Sequence, residues 1–180
     1  MKKKGNNFAY IDGANLHKSI GALGWKLDYR AFRRWLEQKY KVDAVYLFIG
    51  LVPQNKDLYM RLQEYGYILV YKEITYDGDG KVKGNCDADI VVKVMRDAYE
   101  NSFDAAVLVS SDGDYASLVS FLIEKRKIKI VLSPYETKKC SILLKRTGVS
   151  IGYISEHRSI LGATKEKAPN ADGTASGSLS

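Results

Sequence analysis

The sequence has few of the residues that mark secreted or zinc-binding proteins. Its 180 residues include two cysteines, Cys86 and Cys140, which lie far apart and form no C-x-x-C pair. Two cysteines without that spacing exclude a disulfide framework and predict reduced thiols in a cytosolic protein. The chain has only two histidines, His17 and His157. Without a cluster of histidine and cysteine ligands, a zinc site is not expected.

Long apolar runs are also absent. A membrane-spanning helix needs about 20 consecutive apolar residues, and no stretch of this chain approaches that length. The basic start, MKKKGNNF, is not followed by the apolar segment of a secretory signal. We therefore expect a cytoplasmic protein without a membrane partner.

Several common catalytic motifs are missing as well. The chain contains neither a Walker A sequence nor a G-x-S-x-G nucleophile elbow. Gly78-Asp79-Gly80 is not followed by the third glycine of a dinucleotide-binding loop. An EF-hand beginning at Asp77 would need glycine in place of Val82 and glutamate in place of Ala88.

The charge balance is basic. Lysine and arginine total 28 against 21 aspartates and glutamates, which gives a net charge of +7. Three of the positive charges are Lys2, Lys3 and Lys4, whereas the charges after Gly162 sum to zero. A basic body indicates a polyanionic partner such as nucleic acid. Composition alone fits a merely basic globular protein equally well.

Apolar runs and amphipathic segments alternate along the chain. The apolar runs are continuous, which is typical of parallel strands covered on both faces. We predict one α/β domain over residues 8–160, a basic extension over 1–7 and a flexible polar tail over 161–180. The predicted strands are Phe8–Ile11, Ala44–Val52, Tyr67–Ile74, Ala105–Val109, Ile128–Leu132 and Val149–Ile154. The predicted helices are Tyr29–Tyr40, Lys56–Tyr65, Asp87–Tyr99, Tyr115–Lys125 and Lys138–Arg146, with a charged loop over Tyr76–Asn85.

Aspartates follow two of the predicted strands. Asp12 follows the first strand, and Asp112 and Asp114 follow the fourth in the stretch VLVSSDGDYASLV. In open α/β sheets, ligands bind beyond the carboxyl ends of the strands, where the strand order reverses. We therefore expect these three carboxylates to meet at one edge of the sheet.

A fourth aspartate begins a helix at the same edge. Asp87 shares a spacing of three and four residues with Ile90, Val91 and Val94, so it lies on the inward face of its helix. Asp89 falls on the outward side. Clustered carboxylates require compensation, and a hard divalent cation, Mg²⁺ or Mn²⁺, supplies it.

Each aspartate also has an ordinary structural explanation. Asp12-Gly13 is compatible with a simple turn, and Asp87 with a favourable interaction with the helix dipole. Asp112 suits a helix N-cap, and Asp114 a first-turn acid. His17, near Asp12 in sequence, is either a surface histidine or a substrate contact.

The stretches FAYIDGANLHKSI, KGNCDADIVVKVM and LVSSDGDYASLV, in that order, resemble the NYN domain of the PIN-like nuclease superfamily, in its LabA-like group. The resemblance extends over about Phe8 to Ile154. It implies a Rossmann-like three-layer α/β/α sandwich and ribonuclease activity that depends on Mg²⁺ or Mn²⁺. Cys86 stands where members of the family often have an aliphatic residue.

The resemblance also implies roles for individual residues. Asp12, Asp87, Asp112 and Asp114 would be the metal-site acids, Asn15 would hold a phosphate or a metal-bound water, and Ser111 would support the site. We expect RNA hydrolysis to leave a 5′-phosphate and a 3′-hydroxyl, with Asp12 and Asp112 as the principal ligands. Other side chains near this edge are candidates for holding RNA: Lys18, Lys72, Lys81, Lys83 and Lys93 through its backbone, and Tyr76 and Tyr115 through stacking on bases.

Two other functions stay open. A binding module that retains the fold would bind RNA or a protein partner without cutting RNA, because fold does not prove catalysis. A metal-dependent phosphatase would act on a small phosphoester. The aspartyl-phosphate type is disfavoured because Ala14 stands where that chemistry needs a second aspartate.

Overall fold

The computed structural model describes residues 6–72, 75–76, 82–83 and 86–163. Its centre is a six-stranded sheet in which every neighbouring pair of strands is parallel. The sheet strands are β1 (Asn7–Asp12), β2 (Val42–Gly50), β3 (Tyr67–Lys72), β6 (Ala106–Val109), β7 (Ile128–Ser133) and β8 (Ile151–Tyr153), and β4 (Thr75–Tyr76) and β5 (Val82–Lys83) form a separate hairpin. The helices are α1 (Gly13–Ala22), α2 (Tyr29–Tyr40), α3 (Lys56–Glu64), α4 (Asp87–Tyr99), α5 (Ala116–Glu124), α6 (Ile142–Arg146) and α7 (Arg158–Leu161).

The sheet has the strand order β3-β2-β1-β6-β7-β8. The chain first builds outward from β1 to β3, then returns to the other side of β1 and builds outward again. The order therefore reverses between β1 and β6, where Tyr10 pairs with Tyr46 on one side and with Leu108 on the other. A reversal of this kind leaves a crevice at the carboxyl ends of the two strands.

The two faces of the sheet bury separate apolar cores. Along β1, Ala9 and Ile11 belong to one core and Tyr10 to the other, because alternate residues of a strand point to opposite faces. Helices α1, α2, α3 and α7 contribute to the first core, and α4, α5 and α6 to the second. The predicted three-layer α/β/α sandwich is therefore confirmed.

Two helices begin and end where the sequence predicted. Helix α2 spans Tyr29–Tyr40 and is capped by Asp28, whose side chain accepts a hydrogen bond from the Ala31 amide. Helix α4 spans Asp87–Tyr99. Both carry regular apolar spacing along one face, which is the strongest local signal for a helix.

Two other segments differ from prediction. Helix α1 was not predicted, because its sequence GANLHKSIGA has two glycines and only Leu16 and Ile20 pack into the core. The helix predicted over 138–146 begins only at Ile142. Ser141 caps it there, while the Ser141 amide donates to the Ser111 carbonyl and holds the preceding chain in a non-helical conformation.

The folded body continues past the predicted start of the tail. Leu161 is fully buried, Gly162 forms a β-bridge with Leu27, and the Ala163 amide donates to the Lys26 carbonyl at 2.8 Å. The predicted tail therefore includes three residues that belong to the body, and the rest of it, 164–180, lies outside the described residues. Within the described ranges, no helix has the length and apolar character needed to cross a membrane. Cys86 and Cys140 are both free cysteines, and both are buried.

Candidate active site

The crevice between β1 and β6 is lined by residues that end these two strands. Asp12 is the last residue of β1, and Ser110, Ser111 and Asp112 directly follow β6. Asp12 caps α1, because its Oδ1 accepts a hydrogen bond of 2.9 Å from the Asn15 amide. Asp12 is therefore a helix cap and not part of a simple turn, and its role at the site stays a prediction.

Gly13 allows α1 to begin this close to the sheet. A Cβ atom on Gly13 would lie 2.6 Å from both the Phe48 carbonyl oxygen and Ile49 Cγ2. Any other residue would push the start of α1 away from β2. The position of the Asp12 carboxylate therefore depends on the missing side chain next to it.

Asp114 lies on a single 3₁₀ turn, Gly113–Tyr115, and Asp112 directly precedes it. Asp112 caps this turn, with Oδ1 accepting from the Asp114 amide at 3.0 Å, while its own amide donates to Ser110 Oγ at 3.1 Å. Gly113 packs so tightly on Ser141 that a Cβ there would overlap Ser141 Oγ. These contacts hold the turn, and hence both carboxylates, against the beginning of α6.

Three carboxylates meet at this turn. One oxygen from each of Asp87, Asp112 and Asp114 lies within 4.8 Å of the other two. Oxygens bound to one octahedral Mg²⁺ at about 2.1 Å are about 3.0 Å apart in adjacent positions and about 4.2 Å apart in opposite positions. The three carboxylates are therefore near enough to share one ion after their side chains move closer together, and an all-oxygen donor set suits Mg²⁺ or Mn²⁺.

Asp12 lies behind this trio and is joined to it by Tyr115. The buried Tyr115 hydroxyl lies 2.6 Å from Asp87 Oδ1 and 3.2 Å from Asp12 Oδ2. Burial, together with the two carboxylates, raises the pKa of Tyr115 well above its ordinary value. The hydroxyl therefore stays protonated and donates to the carboxylates.

The Asp12 carboxyl is the most shielded of the four acids. Burial raises its pKa above 3.8, and the charges of Asp87 and Asp112 raise it further. The hydrogen bonds from the Asn15 amide and the Tyr115 hydroxyl act in the opposite direction. Because the hydroxyl has only one proton to donate, its stronger hydrogen bond goes to the nearer Asp87 oxygen.

Tyr115 does not stack on a base, so that prediction is wrong. Its ring is fully buried in the second core, and its hydroxyl is occupied by Asp12 and Asp87. The spacing of Tyr115, Leu118 and Leu122, which places all three on the inward side of α5, was the available signal. Ser110, whose hydroxyl orients the Asp112 amide, was also missed.

Asn15 and Ser111 form a contact between α1 and the end of β6. The Asn15 Oδ1 accepts from both the amide and the hydroxyl of Ser111, each at 3.0 Å. This pair closes the crevice next to Asp12. Among the described residues, the Asn15 Nδ2 group donates to none, so it is the atom by which Asn15 would contact a phosphate.

The predicted RNA-binding lysines have different surroundings. Lys18 is exposed on α1, and Lys72 pairs at 3.1 Å with Asp89, which lies on the outward side of α4 as predicted. Lys93 is partly buried, with its Nζ 2.6 Å from buried Asp97 and 4.5 Å from the centre of the Tyr46 ring. A role for Lys93 in holding RNA stays a prediction. Lys81 and the side chains of Tyr76 and Lys83 lie outside the described residues.

Two features define the class of protein to which this chain belongs. The fold is a parallel α/β sandwich, and acidic residues lie where the order of its strands reverses. The sequence model of the NYN domain matches residues 9–148, which is most of the chain. The protein therefore belongs to the NYN domain family, within the PIN-like nuclease superfamily. Its assignment to the LabA-like group stays a prediction.

One of the comparisons with solved structures supports the fold. A crystal structure of a protein of unknown function from Vibrio parahaemolyticus is similar, with a TM-score of 0.69 and 22% identity over 89% of this chain and 99% of that chain. S. aureus homoserine dehydrogenase at pH 7.5 gives a TM-score of 0.36, with 12% identity over 82% of this chain and 31% of that chain. No curated protein matches the sequence.

Proposed function

We propose that this protein is a metal-dependent ribonuclease that hydrolyses phosphodiester bonds of RNA. The observation that carries the proposal is the meeting of Asp87, Asp112 and Asp114 within 4.8 Å at the carboxyl edge of a NYN-domain sheet. The three come from two distant segments of the chain. Uncompensated, their negative charges would repel, and a bound cation offsets that cost.

Asp87, Asp112 and Asp114 would hold the ion. A bound Mg²⁺ or Mn²⁺ would polarise a phosphate oxygen and offset the charge that develops during hydrolysis. Tyr115 orients Asp87 through its 2.6 Å hydrogen bond. The expectation that Asp12 is a principal ligand stays a prediction, because Asp12 is not one of the three acids that lie within 4.8 Å of one another. Joined to the trio through Tyr115, it would add negative potential that attracts the cation.

RNA is the proposed substrate because of the family and the net charge of +7. An acidic site repels a phosphate backbone, so neighbouring donors must hold the strand. We assign Asn15 Nδ2 to the phosphate at the site, with Ser111 supporting it through the two hydrogen bonds to Asn15 Oδ1. Lys18 and Lys83 are assigned to the flanking backbone. The products should carry a 5′-phosphate and a 3′-hydroxyl, and a 2′,3′-cyclic phosphate would contradict the hydrolytic mechanism.

The test is cleavage of a labelled single-stranded RNA by the pure protein with Mn²⁺, with Mg²⁺ and with a chelator. Asp112→Asn keeps the cap, since asparagine also caps helices, but it removes the charge. It should lower the cleavage rate by about a hundredfold or more. Asp104→Asn is the matched control, because Asp104 is an exposed acid that precedes β6 and therefore lies at the opposite edge of the sheet.

Other outcomes would assign the site differently. RNA that stays intact but is retarded on a gel by both the wild type and Asp112→Asn would favour the binding module over the nuclease. Turnover of a small phosphomonoester, with no RNA cleavage, would favour a phosphatase. Cleavage that persists in chelator would refute the role of the three carboxylates.

A further inference from the structure

A second cavity begins next to the candidate site and runs along α1. It has a volume of about 750 Å³ and lies between α1, the segment that connects α1 to α2, and α3. Leu16 and His17, which line it, directly follow Asn15 of the site. The lining continues from Leu16 to Gly21, so the cavity follows α1 away from the site for about 7.5 Å at the helical rise of about 1.5 Å per residue.

The walls of the cavity are largely apolar. Leu16 and Ile20 contribute from α1, Trp25 from the connecting segment and Leu58 from α3. Leu58 remains 39% exposed, whereas Leu16, Ile20 and Trp25 are only 0%, 3% and 9% exposed. Walls of this kind suit a flat, uncharged group such as a nucleobase.

The rim of the cavity is basic. His17, Lys26 and Arg61 line it, and none of the described residues that line it is acidic. A smaller neighbouring cavity of about 260 Å³ adds Arg30 and Arg34 against a single acid, Asp28, which caps α2. Apolar walls with a cationic rim are complementary to a nucleic acid strand, whose bases are apolar on their faces and whose backbone is anionic.

We propose that this cavity, the α1–α3 groove, binds the single-stranded RNA that flanks the bond to be cut, with bases against its walls and phosphates at Lys26 and Arg61. The inference rests on the proposed function, and it adds a determinant of substrate length. The 17 residues after Ala163 are a poor alternative occupant, because Leu179 is their only large apolar residue.

Tryptophan fluorescence tests the contact directly. The chain has two tryptophans, Trp25 in the groove and Trp35 on α2 against His157. In a Trp35→Phe, Asp112→Asn protein, Trp25 is the sole tryptophan and the RNA remains uncut. An RNA of about twelve nucleotides, within the range of single-strand-binding grooves, should change the Trp25 emission in a saturable way.

A charge reversal tests whether the rim contributes to binding. The double variant Lys26→Glu, Arg61→Glu should weaken binding of that RNA at least about tenfold. The control is the double variant Lys129→Glu, Arg96→Glu. It makes the same change in net charge at exposed residues of β7 and α4, which do not line the groove, and it should have a clearly smaller effect.

Cleavage kinetics separate this inference from the proposed function. If the groove binds flanking RNA, the rim variant should raise the KM for the long RNA and leave cleavage of a dinucleotide unchanged, which also shows that the variant is folded. RNA binding that leaves Trp25 emission unchanged and weakens equally in the rim and control variants would overturn the groove, even with cleavage intact. A change in Trp25 emission without any cleavage by the wild type would support the groove and refute the nuclease.

Discussion

Replacing Tyr115 with phenylalanine removes the hydroxyl group that contacts Asp87 at 2.6 Å and Asp12 at 3.2 Å. The ring is fully buried, so phenylalanine should keep the packing and lose only the hydrogen bonds. Hydrogen bonds to charged groups contribute about 1.5–3 kcal/mol to stability. We expect Tyr115→Phe to lower the free energy of unfolding by that amount at neutral pH, without metal.

The loss should depend on pH, and its sign follows from Asp12. The pKa of this carboxyl is raised by burial above its ordinary 3.8, so the folded protein binds a proton more tightly than the unfolded chain. Stability therefore falls as pH rises from the ordinary pKa through the raised one. Because the Tyr115 hydroxyl lowers the Asp12 pKa, removing it raises that pKa further. The loss of unfolding free energy in Tyr115→Phe, relative to the wild type, should be smallest below about pH 4 and should grow with pH until Asp12 is ionised.

The assay is urea unfolding followed by circular dichroism, in chelator, between about pH 4 and pH 8. Tyr67→Phe is the matched control, because buried Tyr67 donates at 2.7 Å to the neutral Tyr29 carbonyl. This variant should lose about 0.5–1.5 kcal/mol at every pH. Equal losses in the two variants, or a Tyr115→Phe loss that does not change with pH, would refute the coupling between Tyr115 and Asp12.

Two further predictions concern the construction of the site. Gly13→Ala should lower the free energy of unfolding, measured in urea, by about 1–3 kcal/mol, because its Cβ would overlap Phe48 and Ile49. The control Gly21→Ala, on the same helix, meets no atom within 4 Å and should be neutral or stabilising. Similar losses in both variants would contradict the close approach of α1 to β2. Mn²⁺ at about a hundred times its dissociation constant should raise the melting temperature of the wild type by about 5–10 °C. In Asp114→Asn this metal-induced rise should be lost, whereas the melting temperature without metal should rise slightly because one of three repelling charges is gone. The control Asp104→Asn should behave like the wild type. An undiminished Mn²⁺ response in Asp114→Asn would show that Asp114 is not part of the metal site.

The elements with strong local signals could be read from the sequence alone. Helix α2 has regular apolar spacing and a capping aspartate. Helix α4 has regular apolar spacing along one face, and its first residue, Asp87, lies on that same face. Continuous apolar runs predicted parallel strands covered on both faces. Because parallel strands bring their carboxyl ends to one edge, the sequence also predicted which aspartates would meet there.

Elements that depend on distant contacts could not be read in this way. Helix α1 has a weak helical signal and forms because Asp12 caps it and Leu16 and Ile20 pack on the sheet. Helix α6 begins late because the Ser141 amide bonds the Ser111 carbonyl across the fold.

The sequence by itself determined the class of fold and predicted the four acids of the site, because residue type and spacing are local properties. Only the tertiary structure decided how those acids divide into a surface trio and a buried partner. It also decided that Tyr115 is the hydrogen-bond donor between them instead of a base-stacking residue. Burial and hydrogen-bond distance depend on packing between segments about 100 residues apart in the chain, as with the 103 residues that separate Tyr115 from Asp12. No local pattern specifies such a contact.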